Sequence, residues 1–166
     1  MTALDLFPEV QLEPDLEPDE RYTPRYLYQP LHQEFRFTLD VCATAESAKC
    51  FRYFTARDDG LVQSWEGERV WCNPKYSDIE PWVRKAWVAR AELVAMLLPS
   101  NRTEQPWWQQ LVEPFRDGRA PASLSRPVLR TRFLSGRIRF GFPGNPDGAG
   151  VGSPPFGCVL LLWTAK

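Results

Sequence analysis

Residues 71–77 read Trp-Cys-Asn-Pro-Lys-Tyr-Ser. A polar residue closing a short apolar run, then a proline, then an aromatic two positions on, makes a stiff projecting loop. In such a loop the side-chain oxygen of Asn73 and the carbonyl of Pro74 can aim at one point. Two acceptors converging on one point suit an NH₂ donor, and Tyr76 adds a flat face for a planar ring. An enzyme that works on a base in duplex DNA must take the base out of the stack, hold its edge by hydrogen bonds and its face by an aromatic. The same residues also read as an ordinary strand–turn–helix connection, and taken alone they leave both readings open.

A second set of residues bears on a polyanionic partner. Between positions 116 and 139 lie Arg116, Arg119, Arg126, Arg130, Arg132, Arg137 and Arg139, against one acid, Asp117. The spacing puts Arg130 with Arg132, and Arg137 with Arg139, on one face of a strand each. Such a face suits phosphate contacts; it also suits arginines lying over apolar surface with their heads in water. The net charge is only −1, but residues 1–20 carry seven acids and no base, which leaves 20 bases against 14 acids in the rest. That body can attract a polyanion. Arg102 near Trp107 and Trp108 offers stacking at a nucleic-acid surface, although paired tryptophans at a helix start more often pack a core. The cysteines Cys42, Cys50, Cys72 and Cys158 form no C-x-x-C pair and His32 is the only histidine, so no metal is expected and the thiols read as reduced and buried.

These residues must be positioned by a single domain, because 166 residues is too few for two of ordinary size. Residues 1–21 read as an unpacked acidic arm, with LEPD repeated at 12–15 and 16–19, and 22–166 as the folded domain. No apolar run reaches about 18 residues and the start has no signal-peptide pattern, so a cytoplasmic protein without a membrane partner is expected. Thr23-Pro24 predicts a helix start, with Pro30 as a kink site. Strands are predicted over 35–43, 69–73, 92–99 and 156–163, and a hairpin or two linked strands over 128–134 and 137–142 around Ser135-Gly136. A short helix or turn is predicted at 45–50 and a short helix at 58–65, then a helix from Ser77 or Glu80 to about Arg90, and another over 107–115. The glycine- and proline-rich stretch 141–155 reads as a mobile flap near the substrate or as a simple surface loop. Strands alternating with helices, followed by antiparallel-looking strands, give an α/β sheet with an antiparallel edge. Asp40, Asn73 and Pro99 then fall at strand ends along one rim, where such sheets bind ligands.

Five stretches carry a family likeness: FTLDVCATAESAKCFRYFT, DDGLVQSW, VWCNPKYSDIEPWVRKA, LLPSNRTEQPWW and FLSGRIRF. In this order and spacing, over roughly residues 22–163, the chain resembles the phage-type DNA N6-adenine methyltransferases of the N-P-P-Y class. The resemblance implies a Rossmann-like, S-adenosylmethionine-dependent methyltransferase fold, a mostly parallel sheet of about seven strands with an antiparallel edge. It implies S-adenosylmethionine as cofactor, double-stranded DNA as partner, and methyl transfer to a flipped adenine in a phage- or prophage-encoded protein of the bacterial cytoplasm. Asp40, Val41, Cys42 and Ala43 match the cofactor turn after the first strand, Thr23 and Pro24 the residues near the methionine end, and Asp59 the acid near the adenosine. Asn73, which also faces the cofactor, matches the catalytic motif with Pro74 and Tyr76. Gly136-Arg137 matches a GR pair, and Arg102, Arg130, Arg132, Arg137 and Arg139 are the candidate DNA contacts. Oligomeric state is left open.

Lys75 departs from the pattern, standing where the motif has its second proline. Losing that proline frees φ, restores an N–H, and removes the bias of Pro74 toward extended ψ. Its ammonium could also reach a DNA phosphate. The expectation is reduced turnover with binding retained, and higher turnover for Lys75→Pro. The alternative is an inactive protein of the same fold that holds S-adenosylmethionine, DNA or both. N4-cytosine methylation would use the same loop, so Asn73 alone does not choose the base. The short span from Asp40 to Asn73 leaves recognition of a target sequence to the C-terminal loops or a partner.

Overall fold

In the computed structural model, which describes residues 19–121, 123 and 125–166, the chain runs α1 (Arg25–Phe35), β1 (Leu39–Asp40), β2 (Arg52–Tyr53), β3 (Arg69–Cys72), α2 (Glu80–Val88), β4 (Leu93–Pro99), α3 (Pro106–Leu111), β5 (Val128–Phe133) and β6 (Cys158–Thr164). The runs LVAMLLP and CVLLLWT lack polar alternation because both faces of β4 and β6 are covered; apart from Thr164, every residue of the two strands is buried. The six strands lie in the order β2-β1-β3-β4-β6-β5. The first four are parallel, and β6 runs antiparallel between β4 and β5. This is the expected mixed α/β sheet, with six strands among the described residues rather than about seven.

The chain leaves β1 outward to β2 and returns to β3 on the other side of β1. Connections therefore diverge between β1 and β3, and a crevice opens at their carboxyl ends. Asp40 and Asn73 stand there, and Pro99 closes β4 on the same rim. Aromatic packing fixes α1 beneath it: the Tyr28 ring meets Trp71 of β3 edge-on at 5.4 Å and stacks near Phe37 at 5.7 Å.

Several elements differ from the sequence reading. The predicted hairpin does not form: β5 pairs with β6, Leu129 facing Trp163, while 137–140 joins no strand. The other edge of β5 is closed locally, since the Asp117 carboxylate accepts from the Thr131 amide (2.8 Å) and hydroxyl (2.6 Å). The predicted helix at 58–65 is a series of turns, because Asp59 adopts a left-handed φ of 54°. β2 had no sequence signal beyond its β-prone Tyr53. The Ser77–Glu80 capping box is absent: Ser77 is engaged by Asp19, and Glu80 pairs with Arg84. α3 stops at Leu111, before Glu113, which precedes Pro114 and is thereby biased away from helix. Trp107 and Trp108 pack the core. No helix among the described residues is long and apolar enough to cross a membrane. Most of the acidic arm lies outside the described residues.

Candidate active site

The turn after β1 is built without glycine. Its first residue, Val41, donates its amide to the Trp71 carbonyl of β3 (3.1 Å), and Ala43 donates to Phe54 (3.0 Å). The Asp40 carboxylate, 2% exposed, bends back to accept the amides of Lys49 (3.0 Å) and Cys42 (3.3 Å). Asp40 therefore closes residues 41–49 into a rigid wall. Burial pushes its carboxyl up to about 6, against the opposing pull of those two amides and the Lys49 ammonium. Thr44 and Ser47 lock the same wall, the Thr44 amide donating to the Ser47 hydroxyl at 2.9 Å.

The opposite wall is the turn carrying Asp59. It is pressed against β1 so closely that a Cβ on Gly60 would lie 2.1 Å from the Val41 carbonyl oxygen. Trp65, fully buried, donates its indole N–H to the Gly60 carbonyl at 2.8 Å and holds this approach. Asp59 turns its carboxylate onto the Leu61 amide (3.1 Å).

At the end of β3, the Asn73 carboxamide is oriented by two bonds across the chain. Its NH₂ donates to the Arg21 carbonyl (2.7 Å) and the Thr23 hydroxyl (3.1 Å). The side-chain oxygen is thereby fixed as an acceptor, and it is buried without a hydrogen-bond partner among the described residues. Following it, Lys75 pairs with Glu20 at 3.1 Å. The Tyr76 and Ser77 amides both donate to Asp19 (2.8 and 3.1 Å), as does the Ser77 hydroxyl. Arg102 donates to the Tyr76 carbonyl at 2.6 Å. Burial raises the Asp19 carboxyl, but Ser77, Tyr76 and Arg21 together hold it below its ordinary value.

A cleft of about 540 Å³ joins these parts. Thr23, Asp40, Val41, Cys42, Ala43, Asp59, Asn73, Pro74 and Lys75 all line it. Pro24 does not; it is the N-cap of α1. Nor does Tyr76, which is 2% exposed, and here the expectation of an open stacking face fails. Its ring is edge-on to Phe140 and Phe156, and the Arg21 guanidinium covers it at 5.1 Å. Sequence reasoning missed Asp19, Glu20, Arg21, Lys49 and Gly60 as wall residues. The first three were read as arm, and their only signal was adjacency to Thr23-Pro24. Burial pushes Cys42 up to about 12 and Cys50 and Cys158 to about 11, so these thiols stay protonated, and no cluster of metal-ligand residues occurs among the described residues.

The arginines are divided. Arg130, Arg137 and Arg139 are exposed. Arg132 forms a two-pronged pair with Glu34 (2.7 and 2.8 Å) and lies over the Phe35 ring. Arg102 is spent on the Tyr76 carbonyl. The stretch read as a flap is tied down: Gly141 exchanges both backbone bonds with Tyr22 at 2.8 Å, Gly144 donates to Glu46, and Asp147 accepts the Arg25 amide.

A cleft across the carboxyl ends of β1 and β3, with an oriented asparagine on its rim, defines an α/β protein whose cleft lies at the sheet's switch point, where sheets of this kind bind ligands. Within that class the chain belongs to the Dam family, whose description is DNA N-6-adenine-methyltransferase (Dam) and whose model matches residues 13–164. It is similar to the DNA N-6-adenine-methyltransferase of Haemophilus phage HP1 (strain HP1c1), 33% identical over 81 residues, covering 46% of this chain and 47% of that protein. It is also similar to the protein of that name from Escherichia phage T1, 29% identical over 94 residues, covering 54% of this chain and 40% of that protein. The matched regions thus span less than half the length of either relative. No solved structure matches.

Proposed function

We propose that the protein transfers a methyl group from S-adenosylmethionine to N6 of an adenine rotated out of duplex DNA, on a Rossmann-like methyltransferase sheet. The observation that carries this reading is Asn73: its NH₂ is tied down and its oxygen is left as a buried acceptor beside Pro74. A buried acceptor without a partner is costly unless a ligand donor meets it. The exocyclic amine of adenine has two N–H bonds, one for Asn73 and one for the Pro74 carbonyl. Accepting both orients the nitrogen lone pair toward the cleft without a strong base. Such fixed dipoles are worth most where water is excluded.

The residues present also fit the cofactor. The cleft volume of about 540 Å³ is within the range of small-molecule sites. Thr23, the Asp40–Ala43 turn and Asp59 would hold it, with the Gly60 contact setting the spacing of the walls. When bound, S-adenosylmethionine supplies an electrophilic methyl group on a positively charged sulfur. Asp40, ionised at neutral pH, keeps the wall closed and adds negative charge behind it. For Tyr76 to stack on a base, Arg21 must leave its face.

The Dam family match and the two phage relatives support the same assignment. A second reading, an inactive protein of this fold, draws support from Arg21 over Tyr76 and from Lys75 bound to Glu20. The deciding experiment incubates the protein with methyl-labelled S-adenosylmethionine and unmethylated duplex DNA, then identifies nucleosides by mass. N6-methyladenine is the expected product. N4-methylcytosine would change the target base. Cofactor binding without any methylated nucleoside would leave the inactive reading in its place.

A further inference from the structure

The catalytic loop has lost a proline, yet it is held at every residue after Pro74 by the short segment Asp19–Arg21. Asp19 accepts two successive backbone amides, Tyr76 at 2.8 Å and Ser77 at 3.1 Å, plus the Ser77 hydroxyl. Glu20 meets the Lys75 ammonium at 3.1 Å, the side chain that replaces the proline. The Arg21 carbonyl accepts from Asn73 at 2.7 Å. Arg21 also pairs back to Asp19 at 3.0 Å, so the three residues brace one another.

A proline at position 75 would have fixed φ there and biased Pro74 toward extended ψ. An external carboxylate fixing the next two amides constrains the same loop from the other side. A carboxylate on successive amides is a strong, charge-assisted arrangement. The half-exposed Lys75–Glu20 pair is weaker, as surface pairs are.

We propose that Asp19 and Glu20 are positioning residues that aim the Pro74 carbonyl and Asn73 at the target amine, taking over what the missing proline would do. This rests on the methyltransferase reading of the site. It makes the segment a clamp required for turnover rather than a plug over Tyr76, and it changes the simple expectation for Lys75→Pro. The clamp makes the effect of that substitution depend on Glu20: Lys75→Pro should raise turnover more in the Glu20→Ala background than in the unsubstituted chain.

The test is a set of full-length variants: Asp19→Ala, Asp19→Asn, Glu20→Ala, Lys75→Pro, and the Glu20→Ala/Lys75→Pro double. Methyl transfer to duplex DNA, S-adenosylmethionine binding by calorimetry, and amide exchange at Tyr76 and Ser77 are followed in each. Asp19→Ala should lower kcat by roughly one to two orders of magnitude, as a misaim of about 1 Å does, with cofactor affinity unchanged and both amides exchanging faster. Asp19→Asn, which keeps one acceptor oxygen, should fall between. Glu20→Ala should cost severalfold alone and nothing in the Lys75→Pro background. Faster turnover in Asp19→Ala would overturn the clamp in favour of a plug. Unchanged amide exchange at Tyr76 and Ser77 would overturn it regardless of activity. If the unsubstituted protein transfers no methyl group, the functional reading fails, and amide exchange still decides the clamp.

Discussion

The two walls of the cleft are made rigid in different ways. On the side proposed to hold the cofactor, local ties within nine positions, from the Asp40 carboxylate, the Ser47 hydroxyl and the Trp65 indole, join backbone bonds and one close contact at Gly60 to hold the turn after β1. On the other side, proposed to meet the target base, the loop after β3 hangs on side chains from distant positions: Asp19, Glu20, Thr23 and Arg102. Each wall has its key carboxylate, and the two are displaced oppositely. Burial lifts Asp40 to about 6, whereas the donors around Asp19 pull it below its ordinary value. A wall closed by local ties and a backbone contact leaves little room for change. A wall hung on long-range side-chain ties can lose one and gain another.

The sharpest way to break this contrast is Gly60→Ala. The added Cβ would meet the Val41 carbonyl oxygen at 2.1 Å, with backbone on one side and Trp82 on the other, so no flexible neighbour can yield. Overpacking of this kind costs about 1–3 kcal/mol. A lower Tm is expected, together with at least tenfold weaker cofactor binding by calorimetry, roughly one RT-scaled decade per 1.4 kcal/mol. Retained affinity would mean that the walls are not set by this contact.

Asn73→Ala tests the other wall. It removes a buried acceptor that lacks a partner among the described residues and frees Arg21 and Thr23 from the loop. Loss of a fixed transition-state dipole costs about 10²–10³ in kcat. Cofactor affinity should move far less, because the Asp40 turn and the Gly60 contact are untouched. A parallel loss of both would place Asn73 in cofactor binding rather than in aiming the amine.

The same contrast explains what the sequence could tell. β4 and β6 were visible because an unbroken apolar run means burial on both faces, and the Asn73 loop was visible because Asn-Pro-x-Tyr is a local pattern. Asp40 could be assigned to the rim from its place at a strand end. The clamp was not visible, because Asp19 meets Ser77 across nearly sixty positions and nothing in LEPDER marks which acid turns inward. The hairpin misreading has the same origin. Two alternating stretches beside Ser-Gly suggest local pairing, but the long edge of β6 offered β5 a better partner than 137–142 could.

The two carboxylates make a pH comparison possible. Asp40, raised from 3.8 to about 6, contributes stability that is fully present below 3.8 and is lost as pH rises through about 6. Asp19, lowered, contributes stability that is present above the ordinary carboxylate value and is lost only as pH falls through its lower folded value. Function runs the other way at Asp40, since the ionised form accepts the Cys42 and Lys49 amides. Cofactor affinity should therefore weaken as pH falls through about 6, and Asp40→Asn should flatten that profile. Amide protection factors at Tyr76 and Ser77, corrected for the intrinsic pH dependence of exchange, should stay constant over the same range, because Asp19 remains ionised throughout it. A common midpoint for both walls would mean that they are one unit.

The smallest expected effect separates arginines that are engaged from those that are open. Arg132 is committed to Glu34 and to the Phe35 ring, so Arg132→Ala should lower stability modestly and leave the salt dependence of DNA binding unchanged. Arg130, Arg137 and Arg139 are exposed, with Arg139 at the 138–141 segment that leads to Tyr22 and the cleft. Each that contacts a phosphate in duplex DNA should reduce the slope of log K against log salt by about 0.9 when replaced by alanine. A reduced slope for Arg132→Ala would mean that DNA competes with Glu34 for its guanidinium, and that α1 yields its edge when the duplex docks.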